Sequence, residues 1–141
     1  MFIGEHEYKV DEKGRVPIPP KFREEFQEGI ILAEGADRCI TAYTVAEWHK
    51  LVASLISDTI ISDPDERRKK RFFGSASELA LDGQGRVALP PHLRQHAAIG
   101  DTAVIVGAIN YIEFWNKELW AEEKTVTAEY VRQVLNRAKE Q

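Results

Sequence analysis

The stretch Asp-Glu-Lys-Gly-Arg-Val-Pro-Ile-Pro-Pro-Lys-Phe-Arg at residues 11–23 decides the fold, because it returns as Asp-Gly-Gln-Gly-Arg-Val-Ala-Leu-Pro-Pro-His-Leu-Arg at residues 82–94. Seven of the thirteen paired positions are identical. The shared residues are an Asp, a Gly, a Val, two Arg and a Pro-Pro pair, so they combine turn-forming, core-forming and cationic side chains. This combination indicates a repeated functional site as well as a repeated packing pattern.

The similarity continues beyond this stretch after a slip of one residue. At a spacing of 72 residues, Gly35 pairs with Gly107 and Trp48 pairs with Trp120. Two copies of so long a unit do not fit a solenoid, which has shorter units and needs at least three of them. Because units of about 70 residues bury little apolar surface alone, we expect two repeats, residues 1–71 and 72–141, that share one core.

Composition and charge narrow the possible functions. The chain is 43% apolar and 30% charged, and no apolar run approaches the roughly 18 to 20 residues that span a bilayer. The first residues do not have the pattern of a signal peptide, so we expect a cytoplasmic protein without membrane insertion. The net charge of −4 argues against indiscriminate binding to nucleic acid but allows a local cationic face.

Each copy of the repeated stretch predicts two strands joined by a tight turn. Residues 7–10 alternate polar and apolar side chains, and residues 11–14 supply turn residues ending in glycine. Val16 and Ile18 share one face of the next strand because side chains alternate along a strand. If that face meets the core, Arg15 lies in solvent beside the turn.

The rest of the pattern predicts an α+β chain with the order β-β-α-β-β-α in each copy. A linker helix has Asp63 as N-cap and Pro64 at its first position, and Gly74 follows its cationic end. A last helix over 127–139 has an apolar side that could contact its own core or a neighbour. Further strands are predicted at 30–33, 39–43, 78–81, 86–89, 103–106 and 111–115, and further helices at 21–26, at 45–57, from Pro91 and from Asn116.

The duplicated motif resembles that of a known family. Asp-x-x-x-Arg at residues 11–15 and 82–86, each followed by an apolar strand and Pro-Pro, is similar to the MraZ family of bacterial transcriptional regulators. Residues 66–68, 74–78 and 93–96 add to the resemblance, which runs over nearly the whole chain. It implies a β-rich SpoVT/AbrB-like swapped-hairpin barrel built from two internal repeats, with peripheral short helices and a C-terminal helix.

The resemblance also implies a function and a set of residues. Members of the MraZ family assemble as homo-oligomeric rings. They bind double-stranded DNA at tandem repeats in the promoter of the division and cell wall gene cluster. The resemblance therefore implies a nucleoid-associated regulator. The DNA-contacting motif falls on Asp11, Arg15, Asp82 and Arg86. Gln84 stands where the first copy has a lysine, so we expect the two motifs to contribute unequally.

The chemistry of these residues fits base recognition. Arginine donates two hydrogen bonds to the O6 and N7 atoms of guanine, and the aspartate four residues earlier can fix its guanidinium group. Nearby cations would meet phosphates, which positions a protein on DNA without specifying a sequence. These cations are Lys9, Lys13, Lys21 and Arg23.

Less specific interpretations apply to several features. A single Asp-x-x-Gly-Arg turn is usually a solvated turn, and the cationic run 67–71 is expected to be a solvated helix face, or an interface with a neighbouring protomer. His92 and His96 have the spacing of a zinc pair but no evident third ligand, so we expect neither metal nor cofactor. Trp48, Trp115 and Trp120 could stack on bases, but their positions on apolar stripes favour core packing, which is also expected for Cys39.

Two other classes of function are alternatives to DNA binding. Self-processing enzymes can cleave a Gly-Ser bond, and Gly74 precedes Ser75, but an enzyme is not expected. The intact mass of the chain, 16.0 kDa, would test this point. The alternative to DNA binding is a non-catalytic, oligomeric structural or protein-interaction module.

Overall fold

The computed structural model describes residues 1–57 and 62–140. It confirms the predicted α+β class, with eight strands and five α-helices in these residues. The strands are β1 (Glu5–Lys9), β2 (Arg15–Pro17), β3 (Ile30–Glu34), β4 (Ile40–Tyr43), β5 (Ser77–Leu79), β6 (Arg86–Ala88), β7 (Thr102–Gly107) and β8 (Ile112–Trp115). The helices are α1 (Pro20–Arg23), α2 (Val45–Leu55), α3 (Pro64–Gly74), α4 (Pro91–Ala97) and α5 (Lys117–Lys139).

Six of the strands form one antiparallel sheet in which the two copies interleave. The order is β1-β7-β8-β4-β3-β5. The central pair, β4 and β8, contains the fourth strand of each copy, and the third strand of each copy lies beside it. At each edge, the first strand of one copy pairs with the third strand of the other, as β1 with β7 and β5 with β3. The sheet order is therefore symmetric about its central pair.

The second strands of the two copies form a separate two-stranded sheet, which we call the ribbon. β2 and β6 pair antiparallel in it, so each copy supplies one strand. No closed barrel is found in the residues that the structure describes. The swapped-hairpin barrel therefore stays a prediction.

One hydrophobic core joins the two copies. Val16 and Ile18 from the first copy are fully buried, as predicted, and pack in the same cluster as Val87 and Leu89 from the second. Phe114 of β8 is also fully buried in this cluster. Because each copy supplies part of this cluster, neither can complete it alone. The large, almost fully buried side chains include Phe2, Phe26, Ile30, Leu32, Ile40, Leu93, Ile105 and Ile112.

The longer helices begin at capping side chains. Thr44 accepts a hydrogen bond from the backbone N–H of Glu47 at the start of α2, and Asp63 accepts one from Asp65 at the start of α3. Asn116 does the same at α5. These bonds satisfy N–H groups that lack a partner in the first turn of a helix. The predicted N-cap Asp63 is therefore confirmed.

Two predicted helix boundaries were wrong. The helix expected at 21–26 divides into α1 and a short 3-10 helix, Glu24–Phe26. The helices expected from Asn116 and over 127–139 are one continuous helix, α5, of 23 residues. Residues 121–126 contain neither glycine nor proline, so nothing in their sequence ends the helix between the two segments.

The tryptophans and the cysteine pack in the interior as predicted. Trp48 and Trp115 are buried, Trp120 is half-buried, and Trp115 lies beside Trp120 with ring centroids 5.6 Å apart. Cys39 is buried, and its thiol lies 3.6 Å from the Glu113 carboxylate. Burial and this carboxylate raise the pKa of the thiol far above its ordinary value, so it is protonated at neutral pH.

Candidate metal-binding groups and candidate membrane-spanning helices are both absent from the described residues. Within residues 1–57 and 62–140, no group of three or more His, Cys, Asp and Glu side chains is placed to bind a metal ion. His96 instead lies 3.1 Å from the carbonyl oxygen of Asp37. None of the helices in the described part of the chain combines the length and the apolar character needed to span a membrane.

Candidate nucleic-acid interface

The ribbon presents one arginine from each copy on the same outer face. Val16 pairs with Val87 at the centre of the ribbon, and both valines are buried at 0% and 1% exposure. Since side chains alternate along a strand, Arg15 and Arg86 point to the opposite face. Their side chains are 32% and 25% exposed. The structure confirms that Arg15 faces away from the core beside the turn, with its side chain half-buried, and Arg86 shares its position.

Asp11 fixes both the turn and the arginine of the first copy. Its Oδ1 atom accepts hydrogen bonds from the backbone N–H groups of Lys13 and Arg15, at 2.9 and 2.8 Å. Its Oδ2 atom accepts a hydrogen bond from Nε of Arg15 at 2.7 Å. The Nε edge of the guanidinium is thereby occupied. Among the described residues, no hydrogen bond uses either of its Nη groups, so both can donate to another partner.

Asp82 repeats this arrangement in the second copy. Its Oδ1 atom accepts from the backbone N–H groups of Gln84 and Arg86, both at 2.9 Å. Its Oδ2 atom accepts from Nε of Arg86 at 2.8 Å. The change from Lys13 to Gln84 leaves the turn geometry intact, because the turn uses only the backbone of this residue.

The two motifs meet at the ribbon. Nη1 of Arg86 lies 3.8 Å from Oδ2 of Asp11, the atom that also binds Arg15. The backbones are joined as well, since Ile18 donates to the carbonyl of Gly85 at 2.9 Å. Leu89 donates in the same way to Gly14, also at 2.9 Å. The structure therefore brings Asp11, Arg15, Asp82 and Arg86 into one cluster.

The hydrogen bonds keep both carboxylates charged. The backbone N–H of Arg15, which is the main cause, lowers the pKa of Asp11, and the Arg15 side chain and the Lys13 backbone add to this effect. The backbone N–H of Arg86 is likewise the main cause that lowers the pKa of Asp82. Both motifs therefore combine a permanent anion with a permanent cation at neutral pH.

Gly14 and Gly85 end the two turns in a backbone conformation that favours glycine. Both residues have φ of +76°, in the left-handed region. A Cβ atom on Gly85 would also lie 2.6 Å from Cδ and Cζ of Arg23, and one on Gly14 would lie 3.1 Å from Cζ of Arg94. The glycines thus allow an arginine side chain to lie directly against each turn.

We predict that Gly85→Ala destabilises the protein by about 1–2 kcal/mol through the left-handed conformation, with a further loss from the collision with Arg23. Urea denaturation measures this change as a lower transition midpoint. Gly83→Ala is the matched control, because a Cβ atom at Gly83 meets nothing within 4 Å. Equal midpoints for the two variants would contradict the proposed strain at Gly85.

The other predicted cations lie at different distances from this cluster. Lys13 is exposed in the first turn, and Lys9 is exposed at the end of β1 that leads into it. Lys21 lies close to Gly4, at the opposite end of β1, and its Nζ atom is 5.3 Å from the centre of the Phe22 ring. Lys9 is the fifth residue after Gly4 along β1, a distance of about 16 Å. Lys21 therefore lies at the end of β1 that is far from the first turn.

Arg94 is a residue of this region that the sequence-based set of site residues did not include. Its Nε atom donates to the carbonyl of Leu89 at 3.1 Å, and its guanidinium lies against Gly14. Arg23, its counterpart in the first copy, donates to Ile18 at 2.7 Å and lies against Gly85. The signal was available, since both arginines end the repeated stretch.

The cationic run on α3 is an exposed helix face with internal ion pairs. Arg68 is 71% exposed and pairs with Asp65 at 2.9 Å. Lys69 pairs with Glu66 at 2.8 Å. The arrangement agrees with the prediction of a solvated face, and α3 lies in a different part of the chain from the ribbon.

Comparison with known proteins shows the family to which the chain belongs. The family described as "MraZ protein, putative antitoxin-like" matches the chain twice, over residues 1–72 and 72–138. The chain belongs to the MraZ family. The two matches agree with the repeat found in the sequence, and the MraZ resemblance is confirmed.

MraZ relatives match the chain over most of its length. A protein from Dehalococcoides mccartyi is 41% identical over 141 residues, covering 99% of each chain. One from Herpetosiphon aurantiacus is 43% identical over 139 residues, covering 93% of this chain and 96% of its own. One from Thermomicrobium roseum is 41% identical over 129 residues, covering 91% and 90%. Each is named "Transcriptional regulator MraZ", which is not the name of an enzyme.

Proposed function

We propose that the protein is a sequence-specific, DNA-binding transcriptional regulator and that the outer face of the ribbon contacts DNA. The single observation that carries this proposal is the position of Arg15 and Arg86, which lie on one face with each Nε atom bound to a motif aspartate. The MraZ relatives support a role in transcriptional regulation through their names.

The dimensions of DNA suit this face. The major groove is about 12 Å wide and admits a two-stranded β-ribbon. An arginine whose Nε is occupied still presents its two Nη groups, so it can donate two hydrogen bonds to O6 and N7 of guanine. Because Asp11 lies within 4 Å of both arginines, at 2.7 and 3.8 Å, the two guanidinium groups would meet neighbouring base pairs.

Other residues would position the protein on the phosphates. Lys9, Lys13, Lys21 and Arg23 remain the proposed phosphate contacts, although Lys21 lies at the far end of β1. Contacts of this kind neutralise phosphates and add affinity that does not depend on sequence. The exposed Lys13 has no cationic counterpart in the second copy, so the proposal retains unequal contributions from the two motifs.

We propose that residues 1–71 and 72–141 act as two structural repeats of a SpoVT/AbrB-like swapped-hairpin barrel. The interleaved strand order and the ribbon, which takes one strand from each copy, support this assignment. The proposed binding sites are tandem repeats in the promoter of the division and cell wall gene cluster, and the proposed location is the cytoplasm, at the nucleoid.

The distal part of α5 supports the proposal of a homo-oligomer. From Lys124 to Glu140 every side chain is exposed, and the helix is about 35 Å long. At 100° per residue, the apolar side chains of this segment cover about half of its circumference. A helical segment with so wide an apolar face gains most of its stability from packing. Exposed apolar residues on this face are Val126, Tyr130, Val131, Val134 and Leu135.

Charge favours a second copy of the chain as the partner of this face. Glu123 and Arg137 lie seven residues on either side of Tyr130. Neither takes part in the ion pairs that α5 forms among the described residues. An antiparallel second helix, with Tyr130 against Tyr130, would bring each Glu123 to an Arg137. Such a twofold contact closes as a dimer, so a ring would need a further, different contact.

We predict that Tyr130→Glu combined with Val134→Glu reduces the mass of the oligomer, because it places four carboxylates in each helix pair. Sedimentation velocity measures the change. Asn136→Glu is the control, since Asn136 is exposed on the side of the helix opposite the apolar arc and its change should leave the mass unaltered. Glu123→Arg and Arg137→Glu should each weaken assembly, and their combination should restore it. An unchanged mass in the double glutamate variant would exclude this contact.

Fluorescence anisotropy tests the proposed function. Duplex DNA from upstream of the protein's own gene is compared with scrambled DNA at several salt concentrations. The proposal expects the upstream DNA to bind at least about 1,000-fold more tightly than scrambled DNA. Equal binding of both DNAs would instead favour the second candidate, an oligomeric protein-interaction module, which the apolar face of α5 supports.

A further inference from the structure

We infer that Arg94 and Arg23 are positioning residues that act across the repeat. Arg94, from the second copy, fixes the turn that carries Arg15, and Arg23, from the first copy, fixes the turn that carries Arg86. We call Arg15 and Arg86 the motif arginines and Arg23 and Arg94 the crossed arginines. The inference rests on the proposed function, and it gives Arg23 a positioning role that competes with the phosphate contact proposed for it above.

The contacts of Arg94 define the first half of this arrangement. Its Nε atom donates to the Leu89 carbonyl at 3.1 Å, which fixes the plane of the guanidinium. A Cβ atom on Gly14 would lie 3.1 to 3.2 Å from Cζ, Nε and Nη2 of Arg94, so the guanidinium covers this glycine. Leu89 also donates its N–H to the Gly14 carbonyl at 2.9 Å. Arg94 and Leu89 therefore enclose the residue that directly precedes Arg15.

Arg23 makes the equivalent contacts on the other side of the ribbon. Its Nε atom donates to the Ile18 carbonyl at 2.7 Å, and its side chain lies directly against Gly85. Ile18 donates its N–H to the Gly85 carbonyl at 2.9 Å. Gly85 directly precedes Arg86. Both crossed arginines thus hold a carbonyl of their own copy and a glycine of the other copy.

This geometry links each crossed arginine to one motif arginine. The Gly14 backbone lies between Asp11, which accepts its N–H at 2.9 Å, and Arg15, whose backbone N–H and Nε both bind Asp11. If Arg94 is removed, Gly14 loses the group packed against it, and the turn that orients Arg15 becomes looser. Arg86 keeps its hydrogen bond to Asp82, and Arg23 still packs against the preceding Gly85, so the position of Arg86 should be unaffected.

A phosphate contact is the competing role for these residues. An arginine that only contacts a phosphate contributes to affinity independently of sequence. Its loss lowers the slope of log affinity against log salt concentration by about one. A positioning residue has a different signature, because its effect passes through one motif arginine and therefore is not additive with the loss of that arginine. The crossed contacts allow these two roles to be separated.

The first experiment needs no DNA. Hydrogen-deuterium exchange with mass spectrometry compares peptides covering residues 11–15 and 82–86 in the full-length protein. Arg94→Ala should accelerate exchange at 11–15 and leave 82–86 unchanged, whereas Arg23→Ala should do the reverse. Arg132→Ala, an exposed arginine on α5, is the control for loss of charge and should change neither peptide. Equal acceleration of both turns, or of neither, would overturn the crossed assignment.

The second experiment is a pair of double-mutant cycles for binding to the upstream DNA, at a salt concentration low enough for all variants to bind. Arg94→Ala should lower affinity about tenfold alone, and by a clearly smaller factor in the Arg15→Ala background. In the Arg86→Ala background it should again cost about tenfold. Additivity with both motif arginines would show a phosphate contact only. If neither Arg15→Ala nor Arg86→Ala has an effect, the ribbon is not the DNA site, while the exchange experiment still tests the crossed contacts.

Discussion

Arg15→Ala is expected to lower the affinity for the upstream DNA at least about tenfold and to remove most of the preference over scrambled DNA. The physical reason is the loss of one bidentate guanine contact, which gives about 1–3 kcal/mol of discrimination. Because several linked protomers on tandem repeats would each lose this contact, the loss of apparent affinity should exceed that of one site. Anisotropy titrations with the two DNAs measure both quantities.

The controls for this prediction separate base recognition from charge and folding. Arg68→Ala removes the same charge from the exposed face of α3 and should leave the preference for the upstream DNA intact. Arg86→Ala should also reduce the preference, because Arg86 occupies the equivalent position on the ribbon, but not necessarily to the same extent. Circular dichroism should show folded protein in all three variants. Unchanged preference in both motif variants would remove the ribbon from the DNA site.

Phe114→Ala is expected to destabilise both repeats together by about 3–5 kcal/mol. Phe114 is fully buried in β8, where it pairs with Ile40 of the first copy and with Ile105 of the second. Deleting this ring leaves a cavity in the core that the two copies share. Urea denaturation, followed by tryptophan fluorescence and by circular dichroism, should give one lower transition midpoint with both probes.

A matched phenylalanine on the surface gives the comparison for this second prediction. Phe72 of α3 is 44% exposed, so Phe72→Ala should cost much less than Phe114→Ala. Separate transitions for the two probes would mean that the chain does not unfold in one cooperative transition. That result would contradict the shared core, since the described cluster contains Val16 and Val87 in mutual register.

Local features of the fold could be predicted from the sequence because they depend on short-range chemistry. The turn ending at Gly14, the burial of Val16 and the exposure of Arg15 follow from glycine conformation and strand periodicity. The N-cap Asp63 followed from the preference of helix starts for carboxylates. Each of these features involves residues that are close in sequence.

Features that depend on distant residues could not be predicted from these patterns. Strand periodicity does not say which strand is the neighbour, so the pairing of β1 with β7 came only from the structure. The predicted boundary inside α5 was wrong, because residues 121–126 are compatible with a helix and the helix continues through them. The contact of Arg94 with Gly14 crosses between copies, and no local pattern contains it.

In the proposed function, the position of the two motif arginines would allow a chain with a net charge of −4 to bind DNA selectively. Asp11 and Asp82 neutralise much of the local positive charge, so the face offers little nonspecific attraction to phosphate. The same carboxylates reduce the freedom of the guanidinium groups, which favours recognition of a defined base edge. We therefore expect selectivity to depend more on the orientation of Arg15 and Arg86 than on total charge.

Methylation interference on the upstream DNA tests the central claim most directly. Guanines methylated at N7 cannot accept a hydrogen bond from arginine at that atom, so methylation at the contacted guanines should prevent binding of the unaltered protein. In Arg15→Ala, interference should disappear at the guanines that Arg15 contacts and persist at those that Arg86 contacts. If the same guanines interfere in the unaltered protein, in Arg15→Ala and in Arg86→Ala, neither arginine recognises a base and the account is wrong.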